Sequence, residues 1–363
     1  MWEELTFALR QLADETRAVR TINLAPLSDL PRSEMERFRQ AWLGLSPRRR
    51  VEVVSTMVEQ AEANIHLNFH TILRECLHDA DYQVRRLAIE GLWEDERCSL
   101  IAPLVNLLAE DSSAEVRAAA AASLGRFVLL GVLGEIAESY AQQAEAALRA
   151  AWQRPHEVNE VRRRVLEALA YSNAPYVREM IDSAYYDEDE LMRQSAVFAM
   201  GRSADPYWAK IVLRELQSRD AAMRFEAAVA AGELALTAAV QRLIQMLDDV
   251  DSNVREAAAL SLGKIGGPEA RRALEAAAEG DDERLAEAAE EALEELAFNS
   301  DTLDYLMMEY TPGREWKYHQ LADMDYDYDE EEDDFYGDEY LDAEEEDDLD
   351  EMAWEDEEEE EEL

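Results

Sequence analysis

Two cysteines in 363 residues, Cys76 and Cys98, are too few for a disulfide framework, and no CxxC pair suggests a zinc ribbon. Cysteine this sparse fits a reducing compartment. The opening residues Met1-Trp2-Glu3-Glu4 lack the basic start and apolar run of a signal peptide, and no stretch reads as the roughly 18 apolar residues of a membrane span. These absences predict a soluble, cytoplasmic chain with no membrane partner. Glycine-rich phosphate loops of either standard spacing are also missing. Basic charge is scarce: 35 Lys and Arg face 83 Asp and Glu, for a formal net charge of −48. The last 41 residues supply −27 of that and hold no Lys or Arg, which leaves −21 on the first 322. A field of that sign repels nucleic acid and attracts a basic protein. The runs Arg48-Arg49-Arg50 and Arg162-Arg163-Arg164 are too short to reverse it.

What the sequence has instead is an internal repeat. Asp251-Ser-Asn-Val254-Arg255-Glu-Ala-Ala258-Ala-Leu-Ser-Leu262-Gly263 aligns without gaps on Asp220-Ala-Ala-Met223-Arg224-Phe-Glu-Ala227-Ala-Val-Ala-Ala231-Gly232. The arginine recurs as Arg85, Arg117, Arg162, Arg193, Arg224 and Arg255, at spacings of 32, 45, 31, 31 and 31 residues; Ala286 replaces it 31 further on. Four residues before it stand Asp81, Asp189, Asp220, Asp251 and Asp282, with Ser113 and Val158 in the other two units. A short acceptor there caps a new helix, and only Val158 cannot do so. Three residues after it comes Ala88, Ala120, Val165, Ala196, Ala227, Ala258 or Ala289, small enough for neighbouring helices to approach closely. The stretch before each such helix is itself amphipathic, as in Ala238–Leu247 and Ile101–Leu108. Each unit is therefore a helical hairpin, and since one hairpin cannot bury its own apolar face, seven must stack on a shared core.

These residues resemble the short HEAT-like repeats of the phycobilisome-lyase type over about Ile65 to Leu296. The resemblance implies an all-α fold, a right-handed α-solenoid of HEAT-like helical hairpins, and the charge density beyond it forbids a packed core and predicts a disordered acidic C-terminal tail. The expected boundaries are a helical cap over 1–64, the repeats over 65–297, a second helical cap over 298–322 and the tail over 323–363. Ser33-Glu-Met-Glu36 reads as a capping box and Ser46-Pro47 as a helix start within the first cap. Leu303–Tyr310 reads as the closing helix before Pro312-Gly313. The 14 extra residues between Arg117 and Arg162 include Phe127–Gly134 and read as a protruding binding loop or, better, as a longer helix inside the stack.

A charged row repeated in every unit is what a structural ladder produces, so the arginines above, with Asp81, Asp189, Asp220, Asp251 and Asp282, are assigned to stability. The first and fifth positions after each arginine lie opposite the buried face and should line the concave surface. That row is charged at its ends and apolar centrally, and the expected protein-binding groove is Gln194, Phe198, Phe225, Val229, Glu256 and Leu260. An apolar stripe of this kind suits a partner helix or peptide; the competing reading buries it between repeats. His66 and His70, four residues apart, are the one metal-like spacing, with no third ligand secured. No cofactor is expected. The family resemblance admits two enzymes. Deoxyhypusine hydroxylases carry several His-Glu dipeptides for a di-iron centre, whereas this sequence has only His156-Glu157; no motif here identifies a bilin-lyase chromophore or nucleophile. The tail is punctuated by Tyr326, Tyr328, Phe335, Tyr336, Tyr340 and Trp354, rings that could contact a basic protein wrapped by the acidic chain. The sequence thus argues for a non-enzymatic scaffold or adaptor, chaperone-like towards a basic client, with a HEAT-like bilin-modifying or metal-dependent enzyme as the alternative.

Overall fold

The computed structural model describes residues 2–309, with side chains over 4–298. Contacts divide the chain into residues 1–308 and 309–363, and everything below concerns the first unit. Among the described residues there are eighteen α-helices and no strand. The tail and its six aromatic residues lie outside the described residues, as do Pro312 and Gly313.

The helices pair into hairpins. The second helices, Tyr82–Gly91, Ala114–Leu133, Asn159–Leu169, Glu190–Arg202, Ala221–Glu233, Ser252–Ile265 and Glu283–Glu309, carry the repeated motif. Second helices of successive hairpins pack closely, whereas the first helices, such as Ala209–Glu215 and Val240–Met246, touch their counterparts far less. The closer-packed row lies on the inside of the curve, so the second helices form the inner face of an α-solenoid. One apolar core runs the length of the unit, from Leu5 to Leu296.

Close packing of the inner row has a local cause at the end of the motif in four of the seven units. A Cβ placed on Gly201 would lie 2.7 Å from Ala230 Cα, and one on Gly232 would lie 3.0 Å from Ser261 Cα. Gly125 and Gly263 meet Ala168 and Ala292 in the same way. The glycine five residues after the buried alanine is thus a second point of close approach between inner helices.

The arginine ladder is real in part, and its carboxylates are not the expected ones. Asp81, Asp189, Asp220 and Asp251 each accept backbone N–H groups as helix caps. The partners of the arginines stand one or two residues earlier, in the next hairpin's turn: Arg85 to Asp111 at 2.7 Å, Arg117 to Glu157 at 2.6 Å and Arg224 to Asp249 at 2.7 Å. Each such arginine also donates to its own turn, as Arg224 does to the Ser218 carbonyl at 3.0 Å. The early carboxylate is favoured because it also accepts the cap residue's own N–H, as Asp249 does from Asp251. Only Asp282 serves as cap and partner together, 2.8 Å from Arg255. Two rungs are missing. Arg162 lies over the Trp152 ring at 4.6 Å. Arg193 reaches its own turn carbonyls, because Ser218 stands where the next hairpin would offer a carboxylate.

Two segments depart from the expected outline. Within residues 35–63, Pro47–Ala63 packs on Tyr82–Gly91 as the inner helices pack on one another, and its Arg50 pairs with Asp79 at 2.7 Å. The motif hides there because Arg49 occupies the apolar position. Ser46 caps this helix, but Ser33 sits inside a 3-10 turn and caps nothing. The 14-residue insertion is spent on longer helices, Ala114–Leu133 and Glu138–Trp152, which is the preferred of the two sequence readings, rather than on a loop. Finally, Glu283–Glu309 is one continuous helix across the expected cap boundary at 298. Ala114–Leu133 is also long and apolar enough to cross a membrane, contrary to the sequence reading. Half of its apolar window is buried against neighbouring hairpins, including Leu124, Phe127 and Val128, which is how a core helix of a stack meets the same test.

Candidate functional site

The inner face is built from the positions one, five and nine residues after each ladder arginine, which share one side of the helix. Four of the six expected groove residues come together. Phe225, Val229, Glu256 and Leu260 line one cavity of about 590 Å³ between the last three inner helices. Phe225, Val229 and Leu260 are half-buried and pack on the core, so the stripe is the apolar floor of a recess rather than an open patch. Its rim carries Glu233, Glu291 and Glu295. The two other candidates are set apart. Gln194 donates to Asp220 of the next hairpin at 2.9 Å, and Phe198 lies under the Arg202 guanidinium at 5.3 Å.

Positions nine after the arginine were missed in the sequence, although extending the four-residue series by one turn reaches them. In order they are Glu94, Arg126, Tyr171, Arg202, Glu233, Lys264 and Glu295. Arg202 and Lys264 both pair with Glu233, at 3.2 Å and 2.5 Å.

The middle of the inner face is polar. Arg163 Nε donates to buried Ser195 Oγ at 2.9 Å, which donates to Glu167 at 2.6 Å, and Glu167 also accepts from Arg164 at 2.8 Å. Glu226, one hairpin on, is half-buried beside this network. Burial, and then the negative charge of Glu167, push its carboxyl up to about 7, against the opposing pull of Arg163 and Arg202. A carboxyl raised in the folded state holds its proton where the unfolded chain has lost it. Its contribution is therefore present below the unfolded value and is lost as pH rises through about 7. Glu226→Gln should leave stability at pH 4 unchanged and raise it at pH 8 by up to about 3 kcal/mol; urea unfolding at the two pH values checks this.

His66 and His70 do not share a helix face. His66 is exposed in the turn after Pro47–Ala63, while His70 begins the helix His70–Cys76. The four-residue spacing spans a turn in which Asn64 and Asn68 side chains accept backbone N–H groups, the second of them from His70 itself. Burial pushes the His70 imidazole below its ordinary value.

Sequence comparison agrees with this architecture: the family described as HEAT repeats matches residues 71–151, 176–253 and 209–294. The chain belongs to the HEAT-repeat family. Among solved structures it is similar to YibA of E. coli, at 16% identity over 67% of this chain and 96% of that one, with a TM-score of 0.40. It is similar to human deoxyhypusine hydroxylase at 20% identity, over 82% and 96% of the two chains, with a TM-score of 0.33. Yeast importin-beta, Kap95p, is similar at 13% identity, over 81% and 46%, with a TM-score of 0.49. A search of curated proteins finds no match. In HEAT-repeat terms, the recess joins the inner helices of the fifth, sixth and seventh repeats counted from Arg85.

Proposed function

We propose that this HEAT-repeat chain is a non-enzymatic scaffold that holds an amphipathic, basic segment of a partner protein on its inner face. The observation that carries this reading is the recess itself. An apolar floor of Phe225, Val229 and Leu260 under a mixed rim, where Arg202 and Lys264 neutralise Glu233 and leave Glu291 and Glu295 as carboxylates without an ion pair among the described residues, fits a helix with apolar residues on one side and Lys or Arg on its flank. The charges of Glu291 and Glu295 are thus free to meet a cationic side chain. Apolar surface of this kind gains by being covered, at roughly 25 cal/mol per Å². The acidic tail, with its net −27, adds a second attraction for a basic client and lengthens the reach of capture.

Phe225→Glu tests the reading. The residue is half-buried at the floor and packs on the core, so the variant should melt somewhat earlier than the wild type yet stay folded, while partner capture falls at least tenfold. Circular dichroism melting and pull-down with the full chain read the two quantities. Undiminished capture by a folded variant would remove the recess from the account.

A further inference from the structure

The opposite half of the inner face carries a second recess of different chemistry. About 670 Å³ lies between the inner helices Tyr82–Gly91, Ala114–Leu133 and Asn159–Leu169. Its floor includes Ala118 and Ala122, the same first and fifth positions that place Phe225 and Val229 in the other recess. Trp93 forms a wall and is 57% exposed, in a chain that buries Trp208 completely. Three buried polar atoms without a hydrogen-bond partner line this one space: Arg86 Nε, Ser123 Oγ and Arg126 Nε.

Arg126 is the unusual member. Its counterparts nine residues after the other arginines, Arg202 and Lys264, both meet Glu233 of a neighbouring repeat. The corresponding neighbour of Arg126 in the next repeat is Tyr171, and no carboxylate pairs with Arg126 among the described residues. Its NH2 group donates instead to the Leu92 and Asp95 carbonyls, at 3.2 Å and 3.1 Å. A half-buried guanidinium with no carboxylate in contact, balanced only at a distance by Asp95 and Glu96 and next to an unpartnered hydroxyl, is a costly arrangement unless an acceptor arrives. Arg86, by contrast, is balanced by Glu90 at 2.6 Å and Glu115 at 3.6 Å.

We propose that this recess receives an acidic side chain of the partner segment, its carboxylate accepting from Arg126 Nε and Ser123 Oγ while an adjacent apolar or aromatic residue rests on Trp93. The inference builds on the groove reading and gives it a direction. The bound segment runs with its acidic end over the repeats near Arg126 and its basic end over Glu291 and Glu295. Arg126 and Glu295 stand on the second and seventh inner helices counted from Arg85, five spacings of about 9 Å apart, so the segment spans roughly 45 Å, about 30 residues of helix.

The test is a selection that presumes no partner. The full chain is presented to a display library of random helix-forming peptides about 30 residues long, and enriched peptides are sequenced. Parallel selections use Arg126→Gln, Trp93→Ala and Phe225→Glu, each first shown by circular dichroism to be folded. Peptides selected on the wild type should share an Asp or Glu near one end and Lys or Arg near the other, with apolar residues between. The acidic position should disappear from peptides selected on Arg126→Gln, and individual wild-type peptides should bind that variant about tenfold more weakly, a loss shared by Trp93→Ala, whose removed ring is 57% exposed in the free chain. Peptides that keep their apolar and basic positions, show no acidic preference and bind Arg126→Gln and Trp93→Ala unchanged would overturn this inference and leave the groove standing. Peptides equally enriched on Phe225→Glu, or no enrichment at all, would overturn the groove and the inference with it.

Discussion

Gly201→Leu should lower the unfolding free energy by at least about 3 kcal/mol, more than any exposed substitution in the chain. The new Cβ would sit 2.7 Å from Ala230 Cα and 3.0 Å from Ala230 Cβ. Neither atom can rotate away, so the inner helices Glu190–Arg202 and Ala221–Glu233 must separate. In a solenoid each repeat is stabilised chiefly by its neighbours, so a wedge at one junction weakens coupling between the two sides. Urea unfolding should therefore become less cooperative as well as earlier. Gly134→Ala is the natural comparison. Gly134 ends the helix Ala114–Leu133 at φ +75°, and a Cβ there would meet nothing within 4 Å, so its cost is the left-handed strain alone, about 1 kcal/mol. Similar losses for the two variants would mean that close approach along the inner row is not what the motif glycine provides.

Arg49→Met should release the N-terminal helix Trp2–Ala13 and cost about 3 kcal/mol. Only 2% of Arg49 is exposed, and its guanidinium donates to the Leu12 carbonyl at 2.9 Å and the Arg17 carbonyl at 2.7 Å. It also reaches the Gln11 and Asp14 carbonyls and the Glu52 carboxylate. These are the free carbonyls at a helix C-terminus and the turn after it, which a methionine of similar volume would leave dry and unpaired. Lysine keeps the charge but not the planar fork, so Arg49→Lys should recover only part of the loss. Hydrogen exchange would report the change locally, as faster exchange over residues 5–13 with the later repeats unaltered.

Repeat architecture was legible because it is written seven times. Asp caps, the buried small residue and the 31-residue spacing each follow from helix geometry, and the HEAT-repeat assignment agrees with them. The ladder was only half legible: an arginine recurring in register announces a structural role, but which of two nearby carboxylates it meets depends on the turn between helices, and there Asp79, Asp111 and Asp249 win over the caps. Arg49 was illegible, since a charged residue at an apolar position reads as a basic run until the helix it ties down is in place. The inner face reads as an apolar stripe from two positions per helix; Phe198 leaves it by packing under Arg202, and Arg126 stands at the third position of the series, one turn further on. The His66 and His70 spacing failed because the pattern presumes a helix, and Asn64 and Asn68 build turns there instead.

The central claim is that a partner segment lies along the inner face, and hydrogen exchange of the full chain with and without its captured partner tests it most directly. The account predicts slowed exchange concentrated in the inner helices Ala221–Glu233 and Ser252–Ile265, extending to Ala114–Leu133, with Pro175–Tyr185 and Pro268–Ala278 on the outer side unchanged. Protection confined to those outer helices, with the inner row exchanging as in the free chain, would contradict it.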